Sequence, residues 1–324
     1  MARLEIRYDL RSPGWAPASV ADRYEAALEQ IRWAERLGFR TVTLSEHHGT
    51  EDGYLPSPLV FAAAVAARTE RITIRIAALV APLHDPLRIA EDAAVVDQLS
   101  RGRLELVLAN GYVPSELAMF GRGLADRVPA VVEAVRTLQE AWTGEPFEFR
   151  GRTVRVTPRP YRRPRPPILL GGSSAAAARR AARIADLFMP SDPVHWEAYR
   201  DAVLAEGGPD WGSAPVIGPR FVHLSEDVEA GWQEVERYVA ADRDTYGRWA
   251  EEAGLDTGHR RVTDELGVRD DPEYRVVTPK ECAELVRDLG RHGTFVLHPM
   301  MGGIPPEVAW RSLELFERHV LAEA

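Results

Sequence analysis

Short apolar runs alternate along this chain with longer segments whose apolar residues recur at helical spacing. Leu4 to Leu10 reads as a strand. Tyr24 to Leu37 reads as a helix, with Ala27, Leu28, Ile31 and Ala34 on one face and Gly38 closing it. The strands Thr41–Ser45, Ile72–Val80 and Arg103–Ala109 follow, separated by helices over Pro58–Ala67 and Pro86–Leu99, and a further helix covers Arg127–Trp142. The second half continues with Ile168–Leu170, Leu187–Met189, Val216–Leu224 and Thr294–His298, each followed by a helical pattern. Strands that alternate with helices predict a parallel sheet with helical crossovers, and eight such units predict a closed (β/α)8 TIM barrel forming a single domain over residues 1–324. A doubly wound sheet fits the same pattern. Two segments break the alternation. Phe147–Val156 reads as a hairpin around Arg150-Gly151, and residues 254–276 form an irregular insertion of the length often seen in active-site lids.

Composition narrows the class without naming a chemistry. Hydrophobic residues at 45% and charged residues at 27% describe a folded chain with a large core. The net charge of −9 and the lack of a basic run argue against nucleic acid as a partner. No apolar run approaches a membrane span. The start MARLEIRYDL alternates instead of running apolar, so the expected setting is the cytoplasm. Cys282 is the only cysteine and Lys280 the only lysine, which excludes an internal disulfide and confines any lysine nucleophile to position 280.

In a parallel barrel the C-terminal ends of the strands carry the chemistry. The second strand ends in Ser45-Glu-His-His-Gly-Thr-Glu-Asp-Gly53, the densest titratable cluster in the chain. Neighbouring strand residues face opposite ways, so one of His47 and His48 points inward and the two do not chelate one ion. We therefore expect no metal. A buried histidine satisfied by hydrogen bonds explains His47 equally well from position alone. The fifth strand ends in Gly171-Gly172-Ser173-Ser174 at the start of a helix, where hydroxyls and free amides suit a phosphate. A tight strand–helix turn explains the same residues. Small Ala77 and Ala78 leave room for a flat ligand, or for tight packing. Asn110 and Tyr112 close the fourth strand, and His298 and Met300 the last. Tyr54, Tyr112, His298 and Met300 are the candidates for the substrate side. Arg88 and Glu91 have the spacing of a surface pair.

The run Glu46-His-His-Gly-Thr-Glu-Asp-Gly-Tyr-Leu-Pro-Ser-Pro58 resembles the glutamate–histidine–histidine segment of bacterial luciferases and their flavin-dependent relatives. The resemblance continues through Ala77-Ala78, His84-Asp-Pro-Leu-Arg88, Glu91-Asp92, Asp97-Gln-Leu-Ser-Arg-Gly-Arg103, Phe120-Gly121 and Pro167-Ile-Leu-Leu-Gly-Gly-Ser173. It implies a (β/α)8 barrel that binds FMN. His47 would then be the catalytic histidine beside the flavin, and Ala77-Ala78 a non-prolyl cis peptide beneath its ring. Glu91 would hydrogen-bond the pyrimidine end, and Gly172, Ser173 and the following turn would hold the phosphate. Two positions depart from the luciferase pattern. Asn110 stands where luciferase has a phosphate-binding arginine, and Gly172 where it has glutamate; Arg127 is placed to retain the other phosphate arginine. These departures leave FMN and the deazaflavin F420 both open.

The expected reaction is a monooxygenation. Reduced FMN from a separate NAD(P)H-flavin reductase would activate O2, a small organic substrate would be oxidised, and His47 would move the proton. A homo-oligomer, a dimer, is expected. The alternatives are an F420-dependent hydride-transfer oxidoreductase on the same barrel and a non-catalytic flavin-binding protein.

Overall fold

The computed structural model describes residues 1–255, 261–262 and 267–323. In chain order the elements of the first third are β1 (Arg3–Tyr8), α1 (Val20–Arg36), β2 (Thr41–Leu44), α2 (Pro58–Arg68), β3 (Thr73–Val80), α3 (Pro86–Ser100) and β4 (Leu104–Ala109). Next come α4 (Pro114–Met119), α5 (Arg127–Ala141), the antiparallel hairpin β5 (Phe147–Phe149) and β6 (Arg152–Val154), β7 (Ile168–Gly172), α6 (Ala175–Ile184), β8 (Leu187–Pro190) and α7 (Trp196–Ala205). The chain continues with β9 (Phe221–Leu224), α8 (Val228–Ala253), β10 (Tyr274–Val277), α9 (Pro279–Leu289), β11 (Thr294–Leu297) and α10 (Pro306–Leu315). This is an α/β fold of parallel strands and connecting helices, in two compact units. One comprises Met1–Thr43, His47–Pro56 and Pro215–Ala324; the other comprises Leu44–Glu46 and Ser57–Ala214.

In the first unit β1 lies between β11 and β2, and β9 pairs with β10. β1 runs parallel to β11 with Ile6 opposite Leu297. The helix α1 starts where the Ser19 side chain accepts the Asp22 amide, and it buries Ala27, Ile31 and Ala34. Phe295 stacks on Phe316 at 5.8 Å, and Phe39 meets Phe316 edge-on at 5.9 Å.

In the second unit the order is β3-β4-β7-β8, all parallel. Ile74, Ile76, Leu104, Leu106 and Ile168 are fully buried, as period-two alternation on β-branched strands requires. The Ser-Arg-Gly-Arg103 turn has a structural job. Arg101 takes a left-handed conformation at the end of α3, and the Arg103 guanidinium then donates to the carbonyls of Ala66, Thr69 and Ile72. It thereby closes the C-terminal end of α2, whose last carbonyls would otherwise lack partners.

Each of the eight expected strands is present, and the larger shortfalls are at β1 and β9. β1 stops at Tyr8 because Leu10 adopts a positive φ of 57°. The segment expected as a strand from Val216 becomes regular only at Phe221; before it, Ile217 makes one isolated parallel bridge to Thr294. The hairpin at Arg150-Gly151 is where it was expected, with both residues at positive φ. β10 is a correction. Three of its four residues fall at the end of the stretch read as irregular, and the strand is too short to display a period of its own. Much of that stretch lies outside the described residues. Among the described residues no helix is long and apolar enough to cross a membrane.

Candidate active site

His47 follows β2, in a loop that the backbone pins to the end of β1. The His47 amide donates to the Leu55 carbonyl at 3.4 Å, the Leu55 amide to the Asp9 carbonyl at 3.0 Å, and the Ser12 amide to the Asp52 carbonyl at 2.6 Å. The His47 side chain is buried in an aromatic enclosure. Its ring stacks on Trp249 at 4.2 Å and 25°, and meets Tyr54 and Tyr246 edge-on at 4.8 and 5.6 Å. The two tyrosine hydroxyls hydrogen-bond each other at 2.9 Å. Tyr246 and Trp249 both come from α8.

Beside this enclosure, in the same unit, lies a buried charge cluster. Arg11 donates through Nε to Asp52 at 2.5 Å, through Nη1 to Asp242 at 2.7 Å and through Nη2 to the Thr245 hydroxyl at 3.0 Å. Burial alone would lower the Arg11 pKa, but the Asp242, Asp52 and Asp9 carboxylates outweigh it and raise it. Asp9 accepts the amides of Arg11 at 3.0 Å and Gly302 at 2.9 Å. Burial nevertheless raises the carboxyl pKa of both Asp9 and Asp242 against the pull of Arg11. His298, just past β11, is 3% exposed. Its Nε2 stands 3.5 Å from Asp9 without a formed hydrogen bond, and neither ring nitrogen has a hydrogen-bond partner among the described residues. Burial, together with the charges of Arg7 and Arg11, pushes its pKa down to about 3, so the ring is neutral at neutral pH. Met300 is buried two residues on.

The second unit holds the remaining candidates, most of them at three adjacent strand ends and Glu91 and Arg127 on helices. The Ala77-Ala78 peptide is cis, the geometry that the resemblance implies there, and the β3–β4 register shifts between Ala77 and Leu79. Val80, at the end of that strand, donates its amide to Glu46 Oε2 at 2.6 Å, while Glu46 Oε1 lies 2.5 Å from His84 Nε2. Burial disfavours the charged His84 ring, but the hydrogen bond and charge of Glu46 outweigh it and raise the pKa. Asn110 and Tyr112 are half-buried past β4. Between them Gly111 has φ +69°, and a Cβ there would stand 2.7 Å from Val80 Cγ1. Arg127 Nη1 reaches the Gly111 carbonyl at 3.1 Å. Gly171 and Gly172 end β7. A Cβ on Gly172 would meet that of Ala177 at 2.5 Å, so the glycine lets α6 start close against the strand. Ser173 and Ser174 are exposed, and Ser174 caps α6 by accepting the Ala177 amide at 3.2 Å. Glu91 is exposed on α3, its carboxylate 3.5 Å from Arg88, which also pairs with Asp92 at 2.7 Å.

The model for luciferase-like monooxygenases matches residues 7–295. The chain belongs to the luciferase-like monooxygenase family. An uncharacterized protein of Sinorhizobium fredii is 34% identical over 169 residues, 51% of this chain and 49% of its own. The chain thus spans about half the length of the curated relatives it matches. Among solved structures, the monooxygenase RslO1 of Streptomyces bottropensis superposes with a TM-score of 0.74 at 25% identity over 99% of both chains. The oxygenating constituent of 3,6-diketocamphane monooxygenase of Pseudomonas putida, in complex with FMN, gives 0.72 at 21% identity over 100% and 98%. An F420-dependent secondary alcohol dehydrogenase shares the fold as well, at 0.68 and 14% identity over 100% of both chains.

Of the residues that the sequence singles out in this luciferase-like chain, the structure has His47, Tyr54, His298 and Met300 in one unit and the cis peptide, Asn110, Arg127 and the Gly171–Ser174 turn in the other. Sequence reasoning missed Arg11, Asp9, Asp242, Tyr246 and Trp249. A signal for the last three existed. Asp242, Thr245, Tyr246 and Trp249 recur at i, i+3, i+4 and i+7 along α8, a helical face that carries polar and aromatic groups where aliphatic ones are usual.

Proposed function

We propose that this protein is an FMN-dependent monooxygenase on a closed (β/α)8 barrel, using reduced flavin and O2 to oxidise a small organic substrate. The observation that carries the reading is the enclosure of His47: a titratable ring at a strand end, walled by three aromatic side chains that exclude water. The donor set of the second unit fits a phosphorylated flat cofactor. Gly171 to Ser174 bring hydroxyls and no acid, the first amides of α6 remain available beyond the one used by the Ser174 cap, and Arg127 adds a cation. Reduced FMN, when bound, supplies the activation of dioxygen. The chain's own part is to hold the phosphate at Ser173, Ser174 and Arg127, to keep water from the reacting centre with Trp249, Tyr54 and Tyr246, and to move a proton at an imidazole nitrogen of His47. We assign Tyr54, Tyr112, His298 and Met300 to the substrate side. A separate NAD(P)H-flavin reductase would supply the reduced cofactor to a cytoplasmic homodimer, as the name "oxygenating constituent" suggests for the Pseudomonas protein.

The F420 reading is favoured by one observation, the fold shared with an F420-dependent dehydrogenase. Anaerobic titration with reduced FMN and with reduced F420, followed by admission of oxygen, separates the readings. Saturable binding of reduced FMN, and reoxidation kinetics unlike those of free flavin, support the monooxygenase. Binding of F420 alone replaces it with hydride transfer, and bound FMN that reoxidises as free flavin does points to a non-catalytic binder.

A further inference from the structure

A cavity of about 890 Å3 in the first unit is lined by Arg3 at the start of β1, Arg36 in the last turn of α1, Arg40 just before β2 and Arg291 in the turn before β11. Leu4 and Leu37 supply apolar wall. These positions mark the N-terminal ends of β1, β2 and β11, whereas His47 and His298 follow the C-terminal ends of β2 and β11. The cavity is therefore separate from the site described above. We propose that it binds a small phosphate-bearing ligand.

The charge pattern supports this assignment. Acidic residues outnumber lysine and arginine by 49 to 40, and arginines elsewhere find them readily. Arg150 pairs with Glu133, Arg165 with Asp186, Arg200 with Asp210 and Arg269 with Glu236. In the cavity the pattern reverses. Among the described residues no side-chain hydrogen bond or ion pair engages Arg3, Arg36 or Arg40, and Arg291 donates only to its neighbour His292. A cation in the last turn of a helix favours the helix dipole, which accounts for Arg36 but not for the other three. Four guanidinium groups around one concavity repel each other, and a multivalent anion relieves that repulsion. The planar fork of guanidinium matches phosphate oxygens in bidentate fashion. The volume falls within the roughly 300–1,000 Å3 of small-molecule sites, and the leucines suit the organic part of a phosphate ester.

The test is calorimetric titration of the full chain at constant low ionic strength with inorganic pyrophosphate, with adenosine triphosphate and with citrate. The expected result is saturable binding of both phosphates, with a Kd of about 1 mM or tighter. The double variant Arg36→Gln/Arg40→Gln should weaken it at least about tenfold, and Arg136→Gln, an exposed arginine outside the cavity, should not. All three arginines are exposed, so the folded state should survive; an unchanged urea midpoint checks this. Absence of saturable binding overturns the proposal. So does binding undiminished in the double variant, or an equal loss in Arg136→Gln. Citrate that binds as tightly as pyrophosphate overturns the phosphate class.

Discussion

Replacing Arg11 by methionine should be among the most damaging single changes in the first unit. Arg11 is 3% exposed and engages Asp52, Asp242 and Thr245 with three different nitrogens. Methionine fills much of its volume but leaves the Asp242 carboxylate, 5% exposed, without its cation; Asp52, at 16%, retains some water. Removing one partner of a buried ion pair costs about 3–5 kcal/mol, because the other charge stays buried. The penalty should depend on pH, with a definite sign. Burial already raises the Asp9 and Asp242 pKa values, and the variant loses the main influence that lowers them. A carboxyl with a raised folded-state pKa adds stability at low pH that is lost as pH rises through that pKa. The gap between wild type and Arg11→Met should therefore be widest near pH 7 and narrow on acidification. Urea unfolding at several pH values, followed by tryptophan fluorescence and circular dichroism together, measures this. The double variant Arg11→Met/Asp242→Asn should be more stable than the sum of the single changes predicts, by about 1–3 kcal/mol. A loss under about 1 kcal/mol at pH 7, or one that does not change with pH, would show that the cluster is hydrated and the reasoning wrong.

His47→Ala should lower product formation by about 10²–10⁴-fold, the usual span for a general acid–base group, with much less effect on flavin binding; normal turnover, or a loss explained wholly by lost flavin, removes its catalytic role. Ser173→Asp should weaken FMN binding at least about tenfold through charge repulsion with the phosphate, and an unchanged titration would place the phosphate elsewhere. His298, with its pKa lowered to about 3, and buried His223, lowered to about 4, should show no imidazole titration by NMR between pH 5 and 8. Their depressed folded-state values mean stability present above the unfolded pKa of about 6.5 and lost as pH falls toward 4 and below, so Cm should fall over that window and fall less in His223→Gln.

Where the signal was local, the chain could be read. Ile72 to Val80 is rich in β-branched residues and forms β3 over nearly the same span, because alternate burial at Ile74 and Ile76 and side-chain shape favour the same conformation. The Gly171–Ser174 turn was legible for the same reason: strand, turn and helix start lie within a few residues, and Gly172 is required by Ala177 five positions on. β10 was not legible, since four residues bounded by irregular chain carry no period. The charge cluster was not legible either. Arg11 finds Asp242 231 residues away, and no spacing rule reaches that far. What the sequence does show is a helix with polar groups on a face that the fold buries, and that inconsistency was the available clue.

The polar character of that buried face has a physical consequence. Well-packed apolar residues in place of Arg11, Asp52 and Asp242 could be equally stable, because desolvation offsets most of the attraction in a buried ion pair. Apolar contacts are not directional, however, and would tolerate a shift of one element against another. The Arg11 fork is directional. One nitrogen fixes Asp52 in the loop that carries His47, and two others fix Asp242 and Thr245 on the helix that carries Trp249. Both partners of the His47–Trp249 stack are thus referred to one guanidinium at the end of β1. A displacement of about 1 Å at a reacting centre is enough to impair catalysis about a hundredfold. A small loosening of the Arg11 fork should therefore reach the His47 enclosure before it unfolds the unit, and turnover of an Arg11 variant should fall by more than its unfolded fraction accounts for.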